Sequence, residues 1–206
     1  MLAAEKLIAE HGIRNVTIRQ IVRAAGQRNE SALQYHFGNL QGLIDTLRYE
    51  RNTELQRRRT VMLEDLLAQC AEPSLRSLCE VMAWPAFELA GGAPEFRRYV
   101  IAFSQEVIFA ESSELEVVDR HAGATGRHLG RLLRGLLPHL DEAAYRRRMD
   151  AAVRLAAVSL SHYARQMDTF GEREADLHFH SLIDALVGLL EAPVSETTRR
   201  LARAPG

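Results

Sequence analysis

Residues 17–37 have the sequence TIRQIVRAAGQRNESALQYHF, and this stretch decides the fold of the N-terminal part of the chain. Thr17 is a residue type that favours the start of a helix. The apolar residues behind it follow the i, i+3, i+4, i+7 spacing of one buried helical face: Ile18, Ile21, Val22 and Ala25. Gly26 ends this helix, and Asn29 is placed to cap another one from about Glu30 to Phe37. The stretch therefore predicts two short helices joined by a tight turn that contains a glycine.

Glycines also divide the sequence on both sides of this stretch. A first helix is predicted from about Leu2 to His11, with Gly12 as its stop. The pair Gly38-Asn39 breaks the chain again, before a long helix that runs from about Leu40 into the sixties. Three short helices with a glycine turn between the second and the third are the pattern of a DNA-binding helix-turn-helix.

The third helix and the turn before it carry the predicted contacts to DNA. Their outward residues are rich in hydrogen-bonding groups: Arg28, Asn29, Glu30, Ser31, Gln34, Tyr35 and His36. A major groove is wide enough to admit one such helix. Arg28 suits a bidentate contact to guanine, and Gln34 or Asn29 suits one to adenine. Glu30 suits either an acceptor role toward cytosine or an ion pair within the protein.

Phosphate contacts are predicted at the flanks of these helices. Thr17 and Tyr35 are placed for phosphate oxygens, where a contact fixes the register of the protein on the duplex. The helix starts at Thr17 and Leu40 also turn the positive end of a helix dipole toward the DNA backbone.

The charges of the chain are divided unevenly between its two ends. Residues 1–60 contain Lys6 and nine arginines against six acidic residues, a net charge of +4. Residues 61–206 contain 16 basic and 21 acidic residues, a net charge of −5. A basic head on an acidic body is typical of a protein that meets a polyanion with one end only.

The remainder of the chain is predicted to be helical as well, because alternating strand patterns are missing from the sequence. We expect helices at about 74–90, 94–110, 124–137, 141–168 and 174–191. The sequence thus predicts an all-α protein with an N-terminal three-helix DNA-binding domain and a C-terminal helical bundle. The predicted divisions are a DNA-binding domain at 1–48, an effector-binding and dimerisation domain at 49–191 and a flexible tail at 192–206.

The last two long helices each carry two apolar stripes, whereas a helix with one wet face needs only one. We interpret the second stripe as the interface of a symmetric dimer built from four helices. The residues assigned to this interface are Ala152, Ala156 and Tyr163 on one helix and Leu182, Leu186 and Leu189 on the other. The alternative is a helix pair that is fully buried inside a monomer.

The first 48 residues resemble the TetR family of bacterial transcriptional regulators. The matching residues are Leu7, Ile8 and Gly12, then Thr17-Ile18-x-x-Ile21-Val22-x-x-Ala25-Gly26, then Leu33-x-Tyr35-His36-Phe37 and Gly42-Leu43. The resemblance implies that Thr17, Tyr35 and His36 contact the DNA backbone. It also implies that the C-terminal helices bind a small-molecule inducer and form a homodimer.

This sequence departs from the family pattern at three places. The turn after Gly26 is one residue longer and contains the polar pair Gln27-Arg28. Gln34 stands where many relatives have an aromatic residue. Leu40 stands where a lysine usually anchors a phosphate, so the salt dependence of DNA binding should be shallower by about one phosphate contact.

The resemblance places an effector cavity among the middle helices. The residues there that suit such a cavity are aromatic, namely Trp84, Phe87 and Phe103, or polar, namely Arg97, Glu106 and His128. Ordinary core packing is the alternative for each aromatic residue.

Other kinds of site are not predicted. The sequence contains no catalytic, nucleotide-binding or metal-binding motif, so we expect neither an enzyme nor a cofactor nor a metal. No apolar run approaches the ~20 residues that span a bilayer, and Met1–Glu10 does not have the layout of a signal peptide, so we expect a cytoplasmic protein.

The favoured hypothesis is a ligand-responsive repressor that binds a palindromic operator as a homodimer. Three alternatives remain: an activator of the same family, a helical interaction protein whose DNA-binding head has lost its use, and a helical-bundle enzyme with an accessory head. Salt-dependent binding to duplex DNA separates the first hypothesis from the interaction protein.

Overall fold

The computed structural model describes residues 1–27, 29–109, 123–169 and 171–203. Within these ranges every regular element is a helix, which confirms the predicted all-α fold. In chain order the helices are α1 (Leu2–His11), α2 (Ile18–Ala24), α3 (Glu30–Phe37), α4 (Leu40–Gln69), α5 (Leu75–Gly92), α6 (Pro94–Phe109), α7 (Gly123–Leu136), α8 (Glu142–Gln166), α9 (Glu172–Glu191) and α10 (Glu196–Arg203). Short 3-10 turns at Ile13–Asn15 and Met167–Thr169 follow α1 and α8.

Side-chain caps start the short helices of the head, which we define as α1–α3 with the first two turns of α4. At α2 the Thr17 hydroxyl accepts a hydrogen bond from the Gln20 amide at 3.3 Å, and the Gln20 side chain accepts one from the Thr17 amide at 2.8 Å. This reciprocal capping box satisfies two amide groups that a helix start leaves unpaired. Asn29 caps α3 by accepting from the Ser31 amide at 2.8 Å, and Asn39 caps α4.

Glycine is required where α3 meets α4. The end of α3 lies so close to α4 that a Cβ on Gly42 would be 2.0 Å from the carbonyl oxygen of Phe37. Only a residue without a side chain allows this approach. The turn between α2 and α3 also uses a glycine, because Gly26 has a φ of +69°.

The core of the head extends into the rest of the chain, which we call the body. Its buried residues come from α1, α2 and α4, from the segment before α2, and also from α6: Ala4, Ile8, Val16, Ile21, Leu43, Ile44, Leu47, Ala102 and Phe103. Leu33 and Phe37 of α3 pack against this cluster. Helix α6, which lies far away in sequence, packs on α1 and so supports the core on which α3 rests.

A buried ion pair also joins the first helix to the fourth. The Glu5 carboxylate is fully buried, and the Nε of Arg51 donates to it at 2.7 Å. Arg51 lies in the continuous helix α4, which passes through the predicted domain boundary at residue 48 without a break. The head and the body are therefore connected by an unbroken helix.

A second hydrophobic cluster holds the body together. It collects buried residues from five helices: Leu63 of α4, Leu78, Val81 and Phe87 of α5, Leu129 and Leu133 of α7, Met149 and Ala152 of α8, and Phe179, Leu182, Ile183, Leu186 and Leu190 of α9. Burial of one such leucine or isoleucine side chain stabilises the fold by about 1.5–3 kcal/mol. The helices α5, α8 and α9 provide much of this core.

The C-terminal segment differs from its prediction. Residues 192–206 were expected to form a flexible tail, whereas the structure has helix α10 there. The hydroxyl of Ser195 caps this helix by accepting from the Thr198 amide at 3.2 Å. The residues of α10 up to Ala202 are exposed, so the cap and local helix propensity account for its order better than burial does.

Among the described residues, no single helix combines the length and apolar character of a membrane span. One bent pair, α9 with the first seven residues of α10, meets that test by length and composition only when the two helices are taken together.

Candidate nucleic-acid interface

Helix α3 presents a polar, exposed outer surface while its inner side packs on the head. Leu33 and Phe37 are half-buried against the head core, and the residues between them are exposed. Tyr35 is the extreme case, with 86% of its surface accessible. The ring and hydroxyl of Tyr35 are therefore accessible to a partner.

Most of the residues predicted to contact DNA are exposed, and all of these but Thr17 belong to α3 or to its cap. The exposed ones are Thr17, Asn29, Ser31, Gln34, Tyr35 and His36. The ring of His36 lies 5.3 Å from that of Tyr35 in an edge-to-face arrangement, so these two side chains form one unit. Arg28 and the side chain of Glu30 lie outside the described residues, and their roles stay predictions.

Two of the predicted contact residues also have structural duties. Thr17 caps α2 and donates from its hydroxyl to the side chain of Gln20 at 2.8 Å. The side chain of Asn29 caps α3. These capping side chains stabilise the first turns of α2 and α3. The remaining free amide groups at the two helix starts suit contacts to phosphate oxygens. Because the side chain of Asn29 is engaged in this cap, Gln34, whose side chain is exposed on α3, is the better candidate to contact a base.

Sequence reasoning missed two basic residues of this surface. Arg19 and Arg23 are both exposed and lie four residues apart on α2, opposite the buried Ile21, and α2 packs against α3. Their i, i+4 spacing on the polar side of an amphipathic helix was the available signal. Guanidinium groups at this place suit phosphate contacts.

The structure also explains the unusual Leu40. This residue is half-buried and packs against the hydrophobic cluster of the head. A lysine would point an ammonium group out of this position, whereas leucine adds apolar contact at the start of α4. Leu40 thus gives up the positive charge of a lysine and gains apolar contact with the core of the head.

Comparisons with known families agree with this geometry. Residues 1–47 match the family model described as bacterial regulatory proteins, tetR family, and residues 80–192 match the one described as Tetracyclin repressor-like, C-terminal domain. The chain belongs to the TetR family. This TetR-family chain is therefore a DNA-binding transcriptional regulator. The exposed side of α3 lies within the residues that match the N-terminal family model. No curated protein matches the chain.

Of the six residues assigned to an effector cavity, the structure describes the side chains of five, and these five do not lie in one place. Phe87 is buried in the body core, where its ring lies 5.3 Å from the rings of Tyr163 and Phe179. Trp84 packs on the same Phe179 at 4.7 Å. Phe103 belongs instead to the core of the head, where the guanidinium of Arg48 lies 5.2 Å from its ring centre. The aromatic residues are thus packed in two separate places.

The polar members of that set whose side chains the structure describes are Arg97 on α6 and His128 on α7. Arg97 donates two hydrogen bonds to Asp168, at 2.8 and 2.9 Å, and a third to the carbonyl of Ala164. These bonds lower the pKa of the Asp168 carboxyl and tie α6 to the end of α8. His128 lies half-buried on α7, and the side chain of Glu106 is outside the described residues. Arg97 therefore joins α6 to the end of α8, and its role as a ligand-orienting group stays a prediction.

The six residues assigned to the dimer interface differ in their burial: three are buried and three are half-buried. Ala152, Leu182 and Leu186 are buried inside the protomer, so they offer no surface to a second chain. This corrects their assignment: the stripe that contains them faces the body core. Ala156, Tyr163 and Leu189 are half-buried, and they stay predicted interface residues.

Proposed function

We propose that this TetR-family chain is a ligand-responsive repressor that binds a palindromic operator as a homodimer. The observation that carries the proposal is the outer surface of α3, which is polar, exposed and held at a fixed angle by the head core. Gln34 and Ser31 would meet base edges in the major groove, while Tyr35, His36 and Thr17 would meet phosphates. Arg28 precedes the capping Asn29 in the sequence, and the predicted contact to guanine is assigned to it.

An exposed apolar face on α8 and α9 supports the homodimer. On α8 the residues Ala151, Val158 and His162 are exposed at helical spacing, with the half-buried Leu155 among them, and Val158 is 46% exposed. On α9 the outer side carries Leu177, Ser181, Ala185 and Gly188, and Leu177 is 56% exposed. Exposed aliphatic residues beside small ones allow two helix pairs to approach closely and form a four-helix interface.

The test of DNA recognition is a selection of bound sequences from random duplex DNA. We expect a palindrome whose half-sites are centred about one helical turn apart, or a multiple of it. Gln34→Ala should relax preference at one base position at a cost of about 1–3 kcal/mol, while Tyr35→Phe should weaken all sites alike. A protein that ignores every duplex at low ionic strength would contradict the proposal.

The test of the homodimer uses one valine on the face and one away from it. Val158→Arg should convert the dimer to a monomer in sedimentation velocity, because it places a charge in an apolar interface. Val61→Arg is the matched control, since Val61 is 51% exposed on α4, outside that face. If both variants stay dimeric, or both dissociate, the α8–α9 face is not the interface.

The sign of regulation is tested with a reporter gene behind the selected operator. A repressor lowers expression from that promoter when it is present, and an effector restores the expression. An effector can shift the operator affinity only by its differential affinity for two conformations, typically about 1–3 kcal/mol per site. Expression that rises with the protein would identify an activator instead.

A further inference from the structure

An open cleft of about 820 Å³ lies where the head meets the body. The head side of the cleft is the end of α1 and the following 3-10 turn, from Ile8 to Asn15. The body side is formed by Ile101 and Ala102 of α6 and by Arg165 of α8. None of the five residues predicted to bind an effector whose side chains the structure describes lines it. This volume is in the range of small-molecule sites in proteins.

The lining of this joint cleft combines aliphatic walls with cationic ends. Ile13 and Ile101, both half-buried, supply apolar surface, while Arg14 of the head and Arg165 of the body are exposed at the same cleft. Arg165 donates to the neutral carbonyl of Ile101 at 3.3 Å. Among the described residues, neither arginine forms an ion pair with a carboxylate.

The acidic residue of the cleft does not cancel this positive charge. Glu10 also lines it, and its carboxylate lies 3.9 Å from the ring of the neighbouring His11. Among the lining residues that the structure describes, two guanidinium groups against one carboxylate leave a net positive charge. A guanidinium presents its donors as a planar fork that fits a carboxylate group.

We propose that the joint cleft binds an amphipathic monoanion, namely a carboxylate attached to a hydrocarbon body. The carboxylate lies between Arg14 and Arg165, and the hydrocarbon lies on the isoleucines. Because one arginine belongs to the head and the other to the body, the bound anion holds these two parts in one relative position. The consequence for operator affinity rests on the proposed function, whereas the binding itself does not.

Binding is tested by isothermal titration calorimetry with decanoate, and with decylamine as a probe of the same chain length and opposite charge. We expect decanoate to bind at one site per chain and decylamine to give no heat of binding at that site. Equal affinity for both probes, or no binding of decanoate, would overturn the proposal.

Substitutions locate the site. Arg14→Gln and Arg165→Gln should each weaken decanoate binding by about tenfold, the usual effect of removing a hydrogen bond to a charged group. Arg131→Gln on α7 is the matched control, because Arg131 is exposed and does not line the cleft. Ala9→Trp should abolish binding by filling the cleft, with circular dichroism as the check that the variant is folded. If the two cleft arginines behave like Arg131, decanoate binds elsewhere and the assignment fails.

The link to regulation has its own measurement. Saturating decanoate should change the operator affinity of the natural protein about fivefold or more, within the usual range of coupling between two sites. The Arg14→Gln, Arg165→Gln double variant should lose this response. An unchanged operator affinity with decanoate bound would overturn the link while leaving the site in place. A protein that binds decanoate at the cleft but binds no DNA would instead overturn the proposed function.

Discussion

The head and the body of this protein obtain their order in different ways. The head consists of helices of 10, 7 and 8 residues, and isolated helices of this length are unstable in water. Side-chain caps at Thr17 and Asn29 and the support of α6 compensate for this. The body consists mainly of longer helices, up to 30 residues in α4, that bury one large shared core. Capping lets the head remain rigid while its outer surface stays polar, which is what a DNA-reading surface requires.

The largest expected difference between the two regions concerns their buried isoleucines. Ile183→Ala in α9 should lower the free energy of unfolding by about 2–5 kcal/mol, because the body core closes poorly around the lost atoms. Operator affinity of the protein that remains folded should hardly change. Ile8→Ala in α1 should reduce operator affinity as well, because Ile8 supports the angle of α3. Urea unfolding and gel shifts measure both, and equal losses of operator affinity would remove the distinction.

Replacing one glycine in each region should change the stability of the protein by smaller amounts and in opposite directions. Gly42→Ala should destabilise the protein by about 1–3 kcal/mol and weaken operator binding, because a Cβ would overlap the Phe37 carbonyl. Gly130→Ala in α7 should stabilise it by about 0.5–1 kcal/mol, since alanine favours a helix and nothing lies within 4 Å of the new Cβ. Thermal unfolding compares the two variants. A stabilised Gly42→Ala protein would mean that the α3–α4 contact is loose.

Helix caps allow a matched comparison at about 1 kcal/mol. Thr17→Ala removes the cap of α2, and Asp141→Ala removes that of α8, where the Asp141 carboxylate accepts from the Ala144 amide at 2.7 Å. Each change should lower the free energy of unfolding by about 1 kcal/mol. Only the Thr17 variant should also lose operator affinity, and Thr17→Ser should retain it. Loss of affinity in the Asp141 variant would show that any small destabilisation has this effect.

The smallest effect concerns the two cysteines. Their rates of modification by a thiol reagent measure how well each one is buried. Burial raises the pKa of the Cys79 thiol to about 12, so it stays protonated and unreactive near neutral pH. Cys70 at the end of α4 is exposed. A thiol reagent at pH 8 should therefore modify one cysteine per native chain, and both after unfolding in urea. Fast modification of both cysteines in the native protein would show that the body core opens easily.

Local sequence signals predicted most of the head and the helix order of the body. The bounds of α1 and α3 agree with the prediction, and α2 ends at Ala24, one residue before the predicted end. Caps and glycines act within a few residues, so the sequence displays them directly. The exposed side of α3 followed from the same local pattern, whereas Arg19 and Arg23 were overlooked although their spacing was visible.

Contacts between distant helices were beyond the reach of such signals. Two apolar stripes on α8 and α9 did not show which stripe faces the core, and the structure places Leu182 and Leu186 inside. Likewise, Phe103 was expected beside Phe87 in one cavity but packs under the head. Periodicity identifies a face of a helix but does not name the partner of that face.

The order of residues by itself determined the helices of this protein, their caps and turns, and the polar character of the recognition helix. These features depend on interactions within about one or two helical turns, which the chain carries wherever it is placed. Tertiary structure alone decided that α6 supports the head, that Arg97 clamps Asp168, and that a cleft with two arginines opens at the joint. Each of these joins residues that are far apart in sequence, and their meeting depends on how all the helices pack together.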